Sequence, residues 1–329
     1  MTLSRRDLLG SLTAASALTA CRREPAPPAV GYLNNLTHAQ ALVSAERWAR
    51  ELGVRMVAFS AGPDVMEALS AGSLVAGFMG PSAALNAYVR THGKRGLVLR
   101  GAASGGASLI VRDRTGIERP EHLHGRTVTA SQIGSMPDVS MRAWLPTVGL
   151  SPHDRGGDVT IVPMPNAEAL AMLKRGRIDA VWAQEPWASR MVAQAGAKRL
   201  LDERDLWPNR RFPTSIMVTT RRVLDEQRPL LERLVASLDE ATERLRALPD
   251  GGRAEVGAAL ARATGKALPE PVLRDAWGRL ELLADPQPEA LTRIARHMQA
   301  MGYLPPDAGL DGFLINVPAH TAARTPEAP

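Results

Sequence analysis

The sequence predicts an α/β protein whose two lobes face each other across a ligand cleft, with the first lobe discontinuous along the chain. Three observations carry that prediction. Short apolar runs alternate with amphipathic stretches from Val30 to Thr220, the pattern of βα units around a largely parallel sheet. The alternation forms two separate clusters rather than one. From Arg222 to about Met301 the pattern is helical, so these helices must return to complete the first cluster. The expected division is residues 30–112 and 214–316 in lobe 1 and 113–213 in lobe 2.

The elements follow in order. Val30–Leu33 reads as a strand, and Thr37-x-x-Gln40 fits a capping box that starts a helix. The inward face of that helix is expected at Ala39, Leu42, Val43, Ala49 and Leu52, with Glu46, Arg47 and Arg50 outside. Val54–Phe59 is a strand, Gly62-Pro63 opens a helix stopping near Gly72, and Leu74–Met79 is a third strand. Ser82 starts a helix to about Thr91, and strands Leu97–Arg100 and Ser108–Arg112 flank the small residues Gly101–Ala107. The second cluster has a loop at Glu118–His124, a strand at Thr127–Ala130 and a helix from Pro137. A strand at Val159–Pro163, a helix at Asn166–Lys174, a strand at Ile178–Ala183 and a helix opened by Glu185-Pro186-Trp187 follow. Ser215–Thr220 is a strand, and the helical stretch after it breaks at Pro249–Gly252, Gly265–Pro269 and Asp285–Pro288.

The ends carry a different kind of information. Ser4-Arg5-Arg6-Asp7-Leu8-Leu9 has the paired arginines of a twin-arginine export signal, and the apolar run to Ala20 is too short for a comfortable permanent span. Leu18-Thr19-Ala20-Cys21 resembles a bacterial lipobox, so residues 1–21 are expected to be a signal peptide with Cys21 the lipidated residue. Cys21 is the single cysteine, which rules out a disulfide framework; a free thiol at the end of the leader is the plainer alternative. Residues 22–29, with Pro25, Pro27 and Pro28, read as an extended spacer, and 317–329 as a disordered tail. The location this implies is the periplasm or cell surface, with the protein held on a membrane by its lipid.

Composition narrows the partners. With 45% hydrophobic and 22% charged residues the chain is globular, and about 300 residues beyond the leader suffice for two lobes. The net charge of +6 does not signal nucleic acid, because the arginines are interspersed with acids and 4% aromatics supply no stacking platform. No GxGxxG after a strand, P-loop or GxSxG occurs, so no cofactor and no catalytic residue is expected. His122, His124 and His153 read as solvated loop histidines rather than a metal cluster, since no carboxylate or cysteine completes a ligand set. Asp202, Glu203 and Asp205 read as a solvated acidic face.

Ligands of open α/β sheets sit beyond the carboxyl ends of the strands. The turns there share one chemistry: Asn34-Asn35-Leu36-Thr37-His38, Gly80-Pro81-Ser82, Gln132-Ile133-Gly134-Ser135 and Gln184-Glu185-Pro186-Trp187 all place small or hydrogen-bonding groups at helix N-termini. Unpaired N–H groups and the positive end of the helix dipole suit a small anion; each turn taken alone is equally an ordinary cap. The runs Asn35-Leu36-Thr37-His38-Ala39, Phe78-Met79-Gly80-Pro81-Ser82-Ala83, Gly101-Ala102-Ala103-Ser104-Gly105-Gly106-Ala107 and Ala183-Gln184-Glu185-Pro186-Trp187-Ala188 resemble the substrate-binding proteins of sulfonate, taurine and nitrate ABC transporters. The run Leu201-Asp202-Glu203-Arg204-Asp205-Leu206-Trp207-Pro208 belongs to the same pattern.

That resemblance implies a type II periplasmic-binding-protein fold, a small anionic solute such as an alkanesulfonate, and an ABC permease with its ATPase as partners. Carried over residue by residue, it implies Asn35, Thr37 and Ser82 lining the first lobe, with Gln132, Ser135 and Trp187 facing them. Ser104 and Gly105 are candidates for close backbone approach, or mark only a bend near the crossover. Glu185 either pairs with an ammonium on the solute or turns away to Arg190, and Met136 is expected to narrow the pocket or to alter its preference. A binder of thiamine or pyrimidine precursors, or an enzyme on the same fold, is the alternative; the histidine and cysteine-rich segment such enzymes use are missing.

Overall fold

The computed structural model describes residues 26–317; the segment expected to be an export leader ending at Cys21, the first part of the expected spacer and residues 318–329 lie outside the described residues. β1 (Ala29–Leu33), α1 (Ala39–Arg47), β2 (Arg55–Phe59), α2 (Gly62–Ser70), β3 (Ala76–Met79), α3 (Pro81–Arg90) and β4 (Arg95–Gly105) form the first cluster. β5 (Ala107–Arg112), β6 (Thr127–Thr129), α4 (Met136–Trp144), β7 (Thr160–Ile161), α5 (Asn166–Lys174), β8 (Ala180–Gln184), α6 (Trp187–Gln194) and β9 (Ala197–Asp202) form the second. The chain then returns through β10 (Pro213–Thr220), α7 (Arg221–Glu226), α8 (Arg228–Ala247), α9 (Arg253–Thr264), α10 (Glu270–Trp277), β11 (Leu280–Leu282) and α11 (Pro288–Ala300).

Two sheets result, ordered β11-β4-β10-β3-β1-β2 and β7-β6-β8-β5-β9. β1 pairs in parallel with β2 and β3, while β10 runs antiparallel to β3 and β4. In the second sheet β6 pairs in parallel with β7 and β8, and β5 is antiparallel to β8 and β9. Parallel strands buried on both faces need helices on both faces. One face of the first sheet accordingly buries Val30, Phe78 and Met217 against Trp48, Leu231 and Leu234, and the other packs Val65, Leu85 and Ile216 with Leu291 and Ile294. The second sheet places Val128, Leu109 and Trp182 against Met141 and Trp144, and Ile110 and Val181 against Leu170 and Met191.

The structure departs from the sequence reading at identifiable points. Ala107–Arg112, placed in lobe 1 from the sequence, pairs in the second sheet. Gly105 (φ +76) and Gly106 (φ +75) turn the chain between the sheets in a conformation that other residues resist. Gly101–Gly105 is strand rather than loop, and its small residues admit a neighbouring segment: Gly101 N donates to Ala284 O at 2.8 Å and Leu283 N to Ala102 O at 3.0 Å. A Cβ on Gly101 would lie 2.1 Å from the Asp285 carbonyl oxygen. Gly101→Ala should therefore lower stability by about 1–3 kcal/mol in urea unfolding.

Around α1, Thr37 is not the cap. Asn35 Oδ1 accepts from Thr37 N at 3.2 Å, and Gln40 reaches instead to Ala102 O at 2.7 Å. A π-helical turn at Trp48–Leu52 widens the last turn, burying Trp48 and leaving Ala49 exposed, against the expected 3.6-residue face. Trp48 Nε1 donates to Ser237 Oγ at 2.9 Å. β9 and β11 were missed: β9 ends at Asp202, where the run read as acidic surface begins, and β11 is a three-residue strand inside an otherwise helical stretch. Val317, expected to begin the tail, is fully buried, and its carbonyl accepts from Arg100 Nη2 at 2.9 Å. Ala29, expected in the spacer, is the first residue of β1.

Candidate ligand-binding cleft

The carboxyl ends of the parallel strands in both sheets open onto one cavity of about 900 Å³. Five helices begin at it. Its lining includes Gly62 and Pro63 of α2, Ser82 and Ala83 of α3, Met136 and Pro137 of α4, Asn166 and Ala167 of α5, and Trp187 of α6. None of these five N-termini is closed by a side-chain hydrogen bond from its cap residue, although Glu185 accepts from Ser189 N in the first turn of α6; free backbone N–H groups and positive dipole ends of the other four lie around the cavity. Pro63, Pro81 and Pro137 occupy first turns, where a missing N–H costs no helical bond.

Among the described residues, no charged side chain lines this cavity. Its polar surface consists of Asn34, Asn35, Ser60, Ser82, Asn86, Ser131, Gln132, Ser135, Asn166 and Gln184, and Leu33, Phe59, Met66, Ile133, Met136 and Trp187 supply apolar area. Amide and hydroxyl donors with helix ends can hold an oxyanion without a buried cation. The apolar side can hold a hydrocarbon substituent.

Of the residues expected from the sequence, Asn35, Ser82, Gln132, Ser135 and Trp187 meet here from both lobes. Thr37, Ser104 and Gly105 are not among the lining. Thr37 is buried behind Asn35 at 1% exposure. Ser104 Oγ donates to Gln287 Oε1 at 3.3 Å and accepts from Phe212 N at 3.1 Å, and a Cβ on Gly105 would meet Arg279 O at 2.6 Å, so both serve the crossover. Asn86, Ser60 and Asn166 were missed. Asn86 lies inside α3 and carries no strand-to-helix signal, whereas Ser60 and Asn166 stood at such turns and could have been found there. Met136 lines the cavity as expected and approaches Gly80, where a Cβ would lie 3.2 Å from its Cγ.

The donors differ in readiness. Asn35 spends its carbonyl on Thr37 N, which leaves its NH₂ group for a ligand. Ser135 Oγ already donates to Gln132 O at 2.6 Å and accepts from Ser131 Oγ at 3.2 Å, so its proton must be redirected to serve an anion. His38, just behind this turn, accepts from Leu33 N through Nδ1 at 3.2 Å; burial pushes its pKa down to about 3 and keeps the ring neutral.

The model of the NMT1-like family matches residues 22–261, most of the chain. The chain belongs to that family. No curated protein sequence matches it. Among solved structures, the alkanesulfonate-binding protein SsuA from Xanthomonas axonopodis pv. citri, bound to MOPS, aligns at 22% identity over 89% of this chain and 99% of that one, TM-score 0.73. The periplasmic aliphatic sulphonate binding protein SsuA from Escherichia coli aligns at 21% identity over 89% and 93%, TM-score 0.72. The periplasmic nitrate-binding protein NrtA from Synechocystis PCC 6803 aligns at 16% over 88% and 84%, TM-score 0.72. The fold is thus the two-lobed periplasmic-binding-protein fold that the sequence led us to expect.

In this NMT1-like protein the carboxylate of Glu185, between cleft-lining Gln184 and Trp187, is withdrawn from the cleft. Glu185 has no exposed surface; its Oε1 accepts from Arg199 Nη2 at 2.6 Å and its Oε2 from Ser189 N at 2.9 Å. Of the alternatives weighed for Glu185, turning away holds, but its partner is Arg199 rather than Arg190. Arg190 lies over the Trp187 ring instead, 4.1 Å from its centroid. Burial pushes the Glu185 carboxyl above its ordinary pKa, and the Arg199 charge opposes the rise. The acidic run is likewise not solvated throughout. Glu203 is buried, accepting from Ser140 Oγ at 2.5 Å and Trp182 Nε1 at 2.7 Å, and Asp202 pairs with Arg204 at 2.8 Å and Arg279 at 2.9 Å. Among the histidines, His122 Nε2 accepts from Arg119 Nε at 3.0 Å and His124 pairs with Asp158 at 2.5 Å. No cluster of metal-ligating side chains occurs among the described residues.

Proposed function

We propose that the protein is the solute-binding component of an ABC importer, and that it binds a small oxyanion, foremost an alkanesulfonate, in the interlobe cleft without catalysis. The observation that carries this reading is a cavity ringed by five helix N-termini, four of them without a side-chain cap, and lined by no charged side chain among the described residues. A volume of about 900 Å³ and the apolar surface of Phe59, Met66, Ile133 and Trp187 favour an organic anion over an inorganic one. The sulfonate and nitrate binders among its structural relatives support the same class. The reading includes export, anchorage through lipidated Cys21 and delivery to a permease driven by its ATPase, with Asn35, Ser82, Gln132, Ser135 and Trp187 as the ligand contacts.

Calorimetry against alkanesulfonates, taurine, nitrate, bicarbonate and a pyrimidine precursor tests the reading. Micromolar binding of a sulfonate, about −8 kcal/mol, is the expected result; tight binding of the pyrimidine with no anion binding, or turnover of any ligand, would overthrow it. Ser82→Ala should weaken sulfonate binding by about 1–3 kcal/mol. Ser135→Ala should fall at the low end, because its hydroxyl is already engaged. Unchanged affinity in both variants would displace the site.

A further inference from the structure

One side of the cleft is built around a carboxylate shared by both lobes. Asp138, in the first turn of α4, is 1% exposed. Its Oδ2 accepts the backbone N–H of Gly134 at 2.9 Å and the hydroxyl of Tyr303 at 2.7 Å. Its Oδ1 accepts Arg142 Nε at 2.8 Å, and Arg142 Nη1 in turn holds Asp154 at 2.9 Å. Gly134 belongs to the cleft-lining turn Ser131–Ser135 and adopts φ +74. Tyr303 follows α11, which belongs with the helices of the first sheet. A single carboxylate oxygen therefore joins the anion turn of one lobe to a side chain of the other.

We propose that Asp138 and Tyr303 are positioning residues, which hold the Gln132–Ser135 turn in its binding shape while the lobes are together. This rests on the reading of the cleft as an anion site. The carboxylate must be aimed twice, at an amide in its own lobe and at a hydroxyl across the gap, and Arg142 fixes the remaining oxygen so that rotation would break all three contacts. Burial and the Asp138 charge push the Tyr303 pKa up to about 12, so its hydroxyl stays a donor at any physiological pH. When the lobes part, Tyr303 leaves, Asp138 loses one of its two lateral contacts, and the Gly134 amide is freed to move. Separation of the lobes then loosens the anion turn as well as uncovering it. Solute release is thereby linked to opening.

The nearby apolar contact of Met136 and Val139 with the first-lobe cluster also holds the lobes, so the test must separate positioning from general loosening. Hydrogen exchange of the Gly134 amide in the ligand-free protein is the primary readout, and it needs no ligand. Tyr303→Phe and Asp138→Ala should each speed that exchange by about tenfold. Asp138→Asn should speed it as well, because an amide whose oxygen takes the place of Oδ2 turns its NH₂ group toward Arg142 Nε–H, a donor facing a donor. The control is Arg155→Ala, which removes another cross-lobe bond, from Arg155 Nη2 to Met301 O at 2.5 Å, without touching Asp138. It should leave Gly134 protected.

If Tyr303→Phe leaves exchange unchanged, or Arg155→Ala raises it equally, the proposal fails and the contact is only part of the lobe interface. Should Asp138→Ala not fold, Tyr303→Phe, which loses one hydroxyl, decides. With butanesulfonate as probe, Tyr303→Phe should also dissociate about tenfold faster with little change in association. Absence of butanesulfonate binding by the wild-type protein would refute the anion reading while leaving the exchange result to judge the relay.

Discussion

Arg199→Met lowers stability at neutral pH by about 3–5 kcal/mol, the cost of stranding one member of a buried ion pair. Glu185 has no exposed surface and Arg199 only 12%, so removing the guanidinium leaves a carboxylate whose remaining hydrogen bond is to Ser189 N. Arg199 also binds Ser108 Oγ at 2.9 Å and Asp275 at 3.2 Å, but Asp275 keeps Ser189 Oγ at 2.6 Å and Arg279 at 3.1 Å, so the stranded charge is Glu185. Two further results identify the mechanism. The loss shrinks in acid, where Glu185 protonates, and Glu185→Gln in the Arg199→Met background recovers a large part of it. Urea unfolding at neutral and acidic pH measures both. An equal loss at both pH values would show that packing of the arginine stem, not its charge, dominates. Because Glu185 holds the first turn of α6, on which Trp187 enters the cleft, the single variant should also weaken anion binding.

Glu203 gives the second large effect, and it acts through pH. Burial raises its carboxyl to about 7, with the hydroxyl of Ser140 and the indole of Trp182 opposing the rise. Since the folded state holds this proton more tightly than the unfolded state does, folding binds a proton between the two pKa values. Stability from this group is full below about 4.5, falls as pH rises through the interval, and levels off above about 7. Glu203→Gln can keep both contacts, its oxygen accepting from Trp182 and its amide donating to Ser140. Its stability relative to wild type should therefore rise by about 3 kcal/mol between those limits. Parallel pH-dependent denaturation curves for the two proteins would rule this out.

How far these groups could be read from the sequence depended on the range of their contacts. Asn166–Lys174 occurs as expected, residue for residue, because an apolar stripe and its flanking breaks are local. The turns at Asn35, Ser82, Ser135 and Trp187 were legible because a strand followed by a helix places its turn at the sheet edge whatever the rest of the chain does. Thr37 was misjudged because Asn35 caps a 3-10 turn at Leu36–His38 that precedes α1 and places Thr37 inside it. Glu203 looked solvated because its neighbours Asp202 and Asp205 are charged, while Ser140 and Trp182, which enclose it, lie 63 and 21 residues away.

The sequence by itself determined the alternation of strands and helices, the division into two clusters and most of the turns that meet at the cleft. These follow from periodicity, from glycine and proline, and from the chemistry of helix ends, all properties of a few consecutive residues. Only the tertiary structure decided that Ala107–Arg112 crosses to the second sheet, that Glu185 turns from the cleft to Arg199, and that Asp138 meets Tyr303 across 165 residues. Pairing partners and burial depend on which distant side chains fill the same space, and nothing in a local stretch records them.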